Sequence, residues 1–436
     1  MSEPRKRRTI AALATPSGVS AIAVVRVSGP AVLAVCKAVF PGFDMKPRTA
    51  RLVNAAIDNL LAIYFPAPNS YTGEDVLELF PHGNPFIVRK LIEEICKVPG
   101  VRLAERGEFT ERAFLNGKLD LTQAEAIGDI LSANNSKALA NAQRLLTGEI
   151  SAEIKSLAEK VKEISALLEL EVDFAEDNCQ SQVPLLGGVP KAGWDILQSL
   201  ENLKKRFRKS GWELPKAVLF GAPNAGKSTL VNALIEENRL IVSETPGTTR
   251  DFVEVPLHLP SGDILLIDTA GLANAAQNNI DEQAMQKTKE ILEKANLKIL
   301  VVNISVPLPT EYDEWKKNAD LIVGTHADLE AVASGQWLAT SGPKGFGIRE
   351  LKESLSDMLF PKEESEEVWI SSERQIACIN RAEECVLGAK EALDRGQVEL
   401  AAFEMREARK ALCSITGEIS DESVLNAIFD NFCIGK

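Results

Sequence analysis

Gly221-Ala222-Pro223-Asn224-Ala225-Gly226-Lys227-Ser228-Thr229 follows the apolar run Ala217-Val218-Leu219-Phe220 and precedes Leu230-Val231-Asn232-Ala233-Leu234. A short buried strand, a glycine-rich turn and a helix start, in that order, make a phosphate-binding loop. Its backbone N–H groups and the positive end of the following helix suit a β-phosphate. In such a loop Lys227 reaches the β- and γ-phosphates, and the Ser228 hydroxyl serves Mg²⁺. A glycine-rich surface turn would have no need of Lys and Ser at those two places.

Two further segments face phosphate in the same order along the chain. Asp268-Thr269-Ala270-Gly271 follows the apolar run Ile264-Leu265-Leu266-Ile267. An Asp at a strand end holds Mg²⁺ through water, and the Gly271 N–H suits a γ-phosphate. Between it and the loop lies Thr245-Pro246-Gly247-Thr248-Thr249-Arg250-Asp251, where a hydroxyl completes the Mg²⁺ shell only while a γ-phosphate is present. The set reads as a switch-type GTPase binding GTP or GDP.

Two positions depart from the usual pattern. Leu272 stands where many GTPases carry a water-orienting Gln. After Leu321-Ile322-Val323, where Asn-Lys-x-Asp is expected, the chain has Thr325-His326-Ala327-Asp328. Asp328 still suits guanine N1–H and N2–H, and Thr340-Ser341-Gly342 matches the element that touches guanine O6. With no Asn side chain, the expectation is GTP held by weakened base contacts, with relaxed specificity as the alternative.

These residues need elements to hold them. At 436 residues the chain exceeds one core, and usual domain sizes suggest about three units. No apolar run approaches the ~20 residues of a bilayer span, and the basic start has no signal-peptide core, so a cytoplasmic protein without membrane contact is expected. A net charge of −13 argues against coating nucleic acid through a general basic surface, though not against RNA on a local patch. The basic run Lys204–Lys209 reads as a solvated helix end. None of the seven cysteines forms a CxxC pair, so reduced, buried thiols are expected, with Cys433 standing apart near the end.

Residues 9–120 mix strand-like runs (Ile22–Val25, Val76–Leu79) with Gly/Pro turns, as in an α+β unit. Beyond Leu121 the texture turns helical. Ile150, Ile154, Leu157, Val161, Ile164 and Leu168 recur at 4-3-4-3-4 spacing, one apolar stripe on a long helix, and Val183–Pro190 interrupts the helices. From Pro215 to about Phe360 the pattern is α/β, with strands at Ala217–Phe220, Ile264–Ile267, Lys298–Val302 and Leu321–Val323. Glu373 to Phe432 is helical again. An α/β domain is thus inserted into a helical one.

Further stretches resemble a single family, the tRNA-modification GTPases MnmE (TrmE). They are Thr9-Ile10-Ala11 through Arg26-Val27-Ser28-Gly29, Ser70-Tyr71-Thr72-Gly73-Glu74-Asp75-Val76-Leu77-Glu78-Leu79, Gly107–Leu121, and the closing Phe432-Cys433-Ile434-Gly435-Lys436. The resemblance implies a multidomain α/β and α+β protein. Residues 1–120 would bind formyl-tetrahydrofolate and dimerise, 121–210 and 363–436 would form a split helical domain, and 211–362 a Ras-like P-loop GTPase domain. Carried over by motif, the 5-formyl-tetrahydrofolate candidates are Arg26, Glu78, Lys118 and Lys436. Folate carboxylates suit Arg and Lys, and a pterin edge suits a carboxylate. Cys433 would be a thiol near the one-carbon unit, with a helix-core cysteine as the competing view.

The resemblance also implies K⁺ beside the nucleotide, stimulating hydrolysis as an arginine finger does elsewhere. Asn224 matches the side-chain ligand, and Ser243-Glu244-Thr245-Pro246-Gly247-Thr248 the loop supplying further oxygens, with Ser243, Thr245 and Thr248 as K⁺ candidates and Ser228 and Thr249 on Mg²⁺. The family's water-orienting acid is a Glu; here the region carries one extra residue, leaving Asp281 as the best match and Glu282 second. The implied work is modification of wobble uridine 34 of tRNA with a cmnm5-like aminomethyl group, by a homodimer joined to an FAD-dependent MnmG/GidA-type partner in a heterotetramer. The alternatives are a ribosome-assembly GTPase of the Era/Der kind or a diverged, barely hydrolysing nucleotide-binding scaffold.

Overall fold

Alternating burial along the first hundred residues builds a sheet. In the computed structural model, which describes residues 8–42, 46–176, 195–208, 214–236, 253–268, 290–330, 335–361 and 368–436, the chain divides into two units. One comprises Met1–Leu131, Asn141–Lys209 and Val368–Lys436; the other Ser132–Ala140 and Ser210–Glu367.

The first unit opens with strands β1 (Thr9–Leu13), β2 (Ser20–Ile22), β3 (Val25–Ser28), β4 (Arg51–Asn54), β5 (Asn59–Phe65), β6 (Val76–Phe80), β7 (His82–Gly83) and β8 (Val101–Leu103). Six of them form one sheet in the order β4-β5-β6-β3-β1-β8, antiparallel except for the β1–β8 pair. Leu60, Ala62 and Tyr64 of β5 point inward at the two-residue period. They share a core with Val32, Val35 and Cys36 of α1 (Val32–Val39) and Val88, Leu91 and Ile95 of α2 (Pro85–Cys96). Helix α2 starts sharply because the Asn84 side chain accepts from Phe86 N at 2.8 Å and Pro85 fills the first turn.

The expected strand Ile22–Val25 is corrected. Ile22 ends β2, which pairs with β7, whereas Val25 begins β3 in the main sheet. Between them Ala23 N binds Pro81 O and Val24 O receives Ala14 N, so the apolar run serves two separate pairings.

The same unit continues through α3 (Glu108–Leu115), α4 (Leu121–Ser132) as far as Leu131, the part of α5 (Ser136–Thr147) from Asn141 onward, α6 (Glu149–Glu176) and α7 (Asp195–Lys205). After the inserted segment come α11 (Glu373–Asp394), α12 (Val398–Thr416) and α13 (Glu422–Phe429). All six residues of the apolar stripe are buried on α6, packed with Ile379 and Ala389 of α11 and Ala408 and Leu412 of α12. The basic run is not simply solvated: Arg206 pairs with Glu153 on α6 at 2.8 Å, and Lys204 with Glu383 on α11. The interruption at Val183–Pro190 lies outside the described residues.

The second unit holds β9 (Lys216–Phe220), β10 (Val253–Leu259), β11 (Gly262–Asp268), β12 (Leu297–Asn303), β13 (Leu321–Thr325) and β14 (Leu338–Ala339). Its described helices are α8 (Lys227–Glu236), α9 (Tyr312–Lys317) and α10 (Ile348–Leu359). Strand order is β10-β11-β9-β12-β13-β14, all parallel but for the antiparallel edge strand β10. The four expected strands are present. The edge strand β10 has a period-two pattern interrupted by Pro256 and was not expected. Among the described residues no helix is long and apolar enough to cross a membrane.

Candidate nucleotide site and a second polar site

In an open parallel sheet, ligands bind outside the carboxyl ends of the strands. Three of the expected segments emerge there: the glycine-rich loop after β9, Asp268 closing β11, and Thr325 closing β13. Gly221 has φ +138°, and a Cβ there would lie 2.3 Å from Val301 O, so the loop can leave the sheet only with glycine at this point. Asn224, at φ +61°, occupies the left-handed conformation that Asn tolerates best among side-chain-bearing residues, and it is exposed.

Lys227 Nζ donates to Gly221 O at 2.9 Å and Ala222 O at 2.8 Å, folding the ammonium back over its own loop. Burial pushes its pKa below the ordinary lysine value, with the nearby Asp268 carboxylate opposing. Ser228 Oγ donates to Asp268 Oδ2 at 2.9 Å, and Asp268 is buried. A hydroxyl and a carboxylate in contact are the hard oxygen donors that suit Mg²⁺.

At the far side of the loop, Asp328 is exposed, and the Ser341 hydroxyl beside it holds its carboxyl below the ordinary range. Ser341 itself is buried, as is Thr340. Gly342 lies against Thr229: a Cβ on it would meet Thr229 Cγ2 at 3.0 Å. Thr325, a candidate nucleotide-site residue as the first of Thr325-His326-Ala327-Asp328, turns its hydroxyl toward the phosphate loop. It is 5% exposed, and its hydroxyl lies 2.6 Å from Ala225 O and 3.1 Å from Val302 O. Ser243, Glu244, Thr245, Pro246, Gly247, Thr248, Thr249, Thr269, Ala270, Gly271, Asp281 and Glu282 lie outside the described residues.

A second polar site sits on the sheet of the first unit. Arg26 on β3 is paired in register with Glu78 on β6. Its Nε and Nη2 lie 2.9 and 2.8 Å from Glu78 Oε1, both side chains about one-fifth exposed. The Arg26 guanidinium lies 5.2 Å from the Tyr71 ring centre and 5.7 Å from that of Phe109, within cation–π range of both. Burial raises the Tyr71 phenol pKa, and its hydroxyl shares a hydrogen bond with Thr110 at 2.8 Å. Lys118 Nζ donates to Pro68 O at 3.0 Å, while Asn116 Nδ2 ties the same turn to Thr72 O.

The last residues fold back onto this site. Phe109 N donates to Lys436 O at 3.3 Å, Gly107 N to Cys433 O at 3.5 Å, and Arg106 Nε to Phe432 O at 3.0 Å. Gly435 has φ +98°, and a Cβ there would stand 2.2 Å from Leu13 O. Phe432, Phe429 and Leu425 anchor the segment against Leu121 and Ala124. The structure therefore brings Arg26, itself paired with Glu78, and the Lys436 backbone to Phe109. Cys433 is exposed rather than a helix-core thiol. By contrast, burial pushes the Cys36 thiol up to about 12 and that of Cys385 up to about 11.

Reading the residues singly did not pick out Tyr71, Phe109 or Arg106. Arg106 meets Phe432 across 326 residues of sequence, and no local pattern carries that contact. A parallel sheet with a glycine-rich loop, a Ser–Asp pair and an Asp-bearing base loop at its carboxyl ends defines a P-loop GTPase domain.

The rest of the chain sets the family. The family model described as "GTP-binding protein TrmE N-terminus" matches residues 9–118, and "MnmE helical domain" matches residues 121–433. Curated relatives are alike along their whole length. The tRNA modification GTPase MnmE of Aquifex aeolicus is 37% identical, over 99% of this chain and all of the relative. Those of Chlorobium chlorochromatii and Carboxydothermus hydrogenoformans are 34% and 35% identical, over 98% of this chain and 98% and 99% of theirs. The chain belongs to the MnmE family of tRNA modification GTPases. Membership accounts for residues 9–118, which a ribosome-assembly GTPase of the Era/Der kind leaves unexplained.

Proposed function

We propose that this chain hydrolyses GTP to drive modification of tRNA at C5 of wobble uridine 34, installing a cmnm5-like aminomethyl group together with an FAD-dependent partner of the MnmG/GidA type. The observation that carries the reading is one chain holding both a P-loop GTPase site and a Cys-Ile-Gly-Lys segment seated beside the Arg26–Glu78 pair. Relatives along the full length bear the name tRNA modification GTPase, which supports the tRNA role.

Lys227 would neutralise β- and γ-phosphate charge, and Ser228 with Asp268 would hold Mg²⁺, Thr249 completing the set. K⁺ prefers amide and carbonyl oxygens, and the exposed side chain of Asn224 fits such a ligand. In this reading Ser243, Thr245 and Thr248 add oxygens when two G domains pair across the nucleotide, and Asp281 or Glu282 orients water. On the first unit, 5-formyl-tetrahydrofolate would supply the one-carbon unit. A carboxylate paired with an arginine that lies within cation–π range of two aromatic rings fits a flat, polar-edged pterin, and Lys118 and Lys436 fit its carboxylates. Cys433 would stand near that unit as an exposed thiol. A homodimer through the N-terminal domains, joined by the flavoprotein in a heterotetramer, completes the proposal.

Nucleosides from a strain lacking the gene test it: loss of the modified wobble uridine is expected, and its retention would refute the tRNA role. GTP turnover faster in K⁺ than in Na⁺ is expected from the Asn224 site, and equal rates would remove K⁺ from the scheme.

A further inference from the structure

The Thr325–His326 pair, standing where Asn-Lys is usual, makes a hydrogen-bonded bridge from the base-reading loop to the phosphate loop. Thr325 Oγ1 has one proton to give and three neighbours: Ala225 O at 2.6 Å, Val302 O at 3.1 Å and His326 Nδ1 at 3.0 Å. The short contact directs that proton to Ala225 O, with Val302 O as a longer second acceptor. The third contact is then a hydrogen bond only if His326 Nδ1 carries a proton and donates to Thr325 Oγ1. This assigns the ring its Nδ1–H form.

The surrounding backbone holds the pair in place. His326 adopts φ +62°, a left-handed conformation unusual for a side-chain-bearing residue. Leu329 N bonds His326 O at 3.0 Å, and Ala327 N bonds Thr340 O at 3.1 Å, so this conformation is fixed from both sides. The imidazole lies against the phosphate loop: a Cβ on Gly226 would meet Thr325 Oγ1 at 3.1 Å and His326 Cε1 at 3.3 Å.

A trans peptide unit sets its C=O and the next N–H on opposite sides. Holding Ala225 C=O toward Thr325 therefore turns Gly226 N–H the other way. We infer that Thr325 and His326 are positioning residues: the relay His326 Nδ1–H to Thr325 Oγ1–H to Ala225 O orients the Ala225–Gly226 peptide so that Gly226 N–H faces the bound phosphate. The hydroxyl thus supports phosphate binding and leaves reading of the base to Asp328. The inference rests on the P-loop GTPase site alone and is independent of K⁺, folate or the flavoprotein.

The test compares GDP and IDP, which differ only in the 2-amino group of the base, on the full-length protein by titration calorimetry. Thr325→Val should weaken both about five- to tenfold, as loss of one buried hydrogen bond brings, leaving their ratio unchanged. Thr325→Ser, which keeps the hydroxyl, should stay within about twofold of the parent. Asp328→Asn should instead change the GDP-to-IDP ratio. A Thr325→Val protein that shifts the ratio as Asp328→Asn does, or leaves both affinities unchanged, would overturn the inference. Nitrogen NMR of His326 in the unaltered protein needs no variant to fold: a protonated Nδ1 is expected, and a bare Nδ1 would contradict the relay.

Discussion

The nucleotide site and the polar site on the N-terminal sheet hold their candidate ligands by opposite constructions. In the first, nine consecutive residues from Gly221 to Thr229 carry the loop, the lysine and the hydroxyl. Long-range pieces such as Asp268 and Thr325 only complete or brace it. In the second, no two of Arg26, Glu78, Phe109 and Cys433 are close in sequence. They meet through strand register, a backbone clasp and the seat that Gly435 finds beside Leu13. A site of the first kind depends on side-chain chemistry at a few adjacent positions. A site of the second kind depends on whether distant segments remain together.

Removing the central charge of the contiguous site should have the largest effect. Lys227→Ala is expected to lower GTP turnover by roughly 10²–10³-fold, the scale of losing one preorganised electrostatic contact. Steady-state phosphate release checks it, and circular dichroism should be unchanged. Turnover within a few-fold of the parent would favour the barely hydrolysing scaffold. The clasp breaks differently. A side chain at Gly435 collides with the Leu13 carbonyl, so Gly435→Val should unseat residues 433–436. Affinity for 5-formyl-tetrahydrofolate should then fall by about tenfold or more, with GTP turnover by the G domain retained. Equal loss of both activities would mean that the clasp supports the whole fold rather than one site.

Core packing gives a smaller contrast. Ile154→Ala, in the stripe shared by α6, α11 and α12, should cost about 2–5 kcal/mol in chemical denaturation and leave both binding constants unchanged at 25 °C. The thiols provide the mildest probe. At pH 8 Cys433 should alkylate first among the described cysteines, because Cys36 and Cys385 are buried and held as thiols. The Cys36 pKa is raised from 9.0 to about 12, so the folded chain keeps a proton that the unfolded chain releases. Its contribution is therefore intact below pH 9 and declines between pH 9 and 12. Cys36→Ala should flatten that part of a melting-temperature profile against pH.

The same contrast explains how much could be read from the sequence. Phosphate-loop chemistry is local, and an apolar strand before a glycine-rich turn reports both the element and its purpose. The stripe from Ile150 to Leu168 was equally plain, since helix period and burial coincide there. The strand expected at Ile22–Val25 failed because an apolar run does not say which partner each half will pair with. Arg106 and Tyr71 were missed because their partners are fixed by tertiary register alone. Thr325 reads from the sequence as a strand-end residue opening the base-reading motif. Only its geometry shows the hydroxyl turned onto Ala225.

In the proposed function, GTP hydrolysis in the G domain drives tRNA modification. Complementation of a gene-deletion strain tests it most directly, with wobble-uridine nucleosides measured by mass spectrometry. The unaltered chain should restore the aminomethyl-type nucleoside, and Lys227→Ala, expressed at equal level, should not. Restoration by Lys227→Ala would show that the modification proceeds without GTP hydrolysis by this chain.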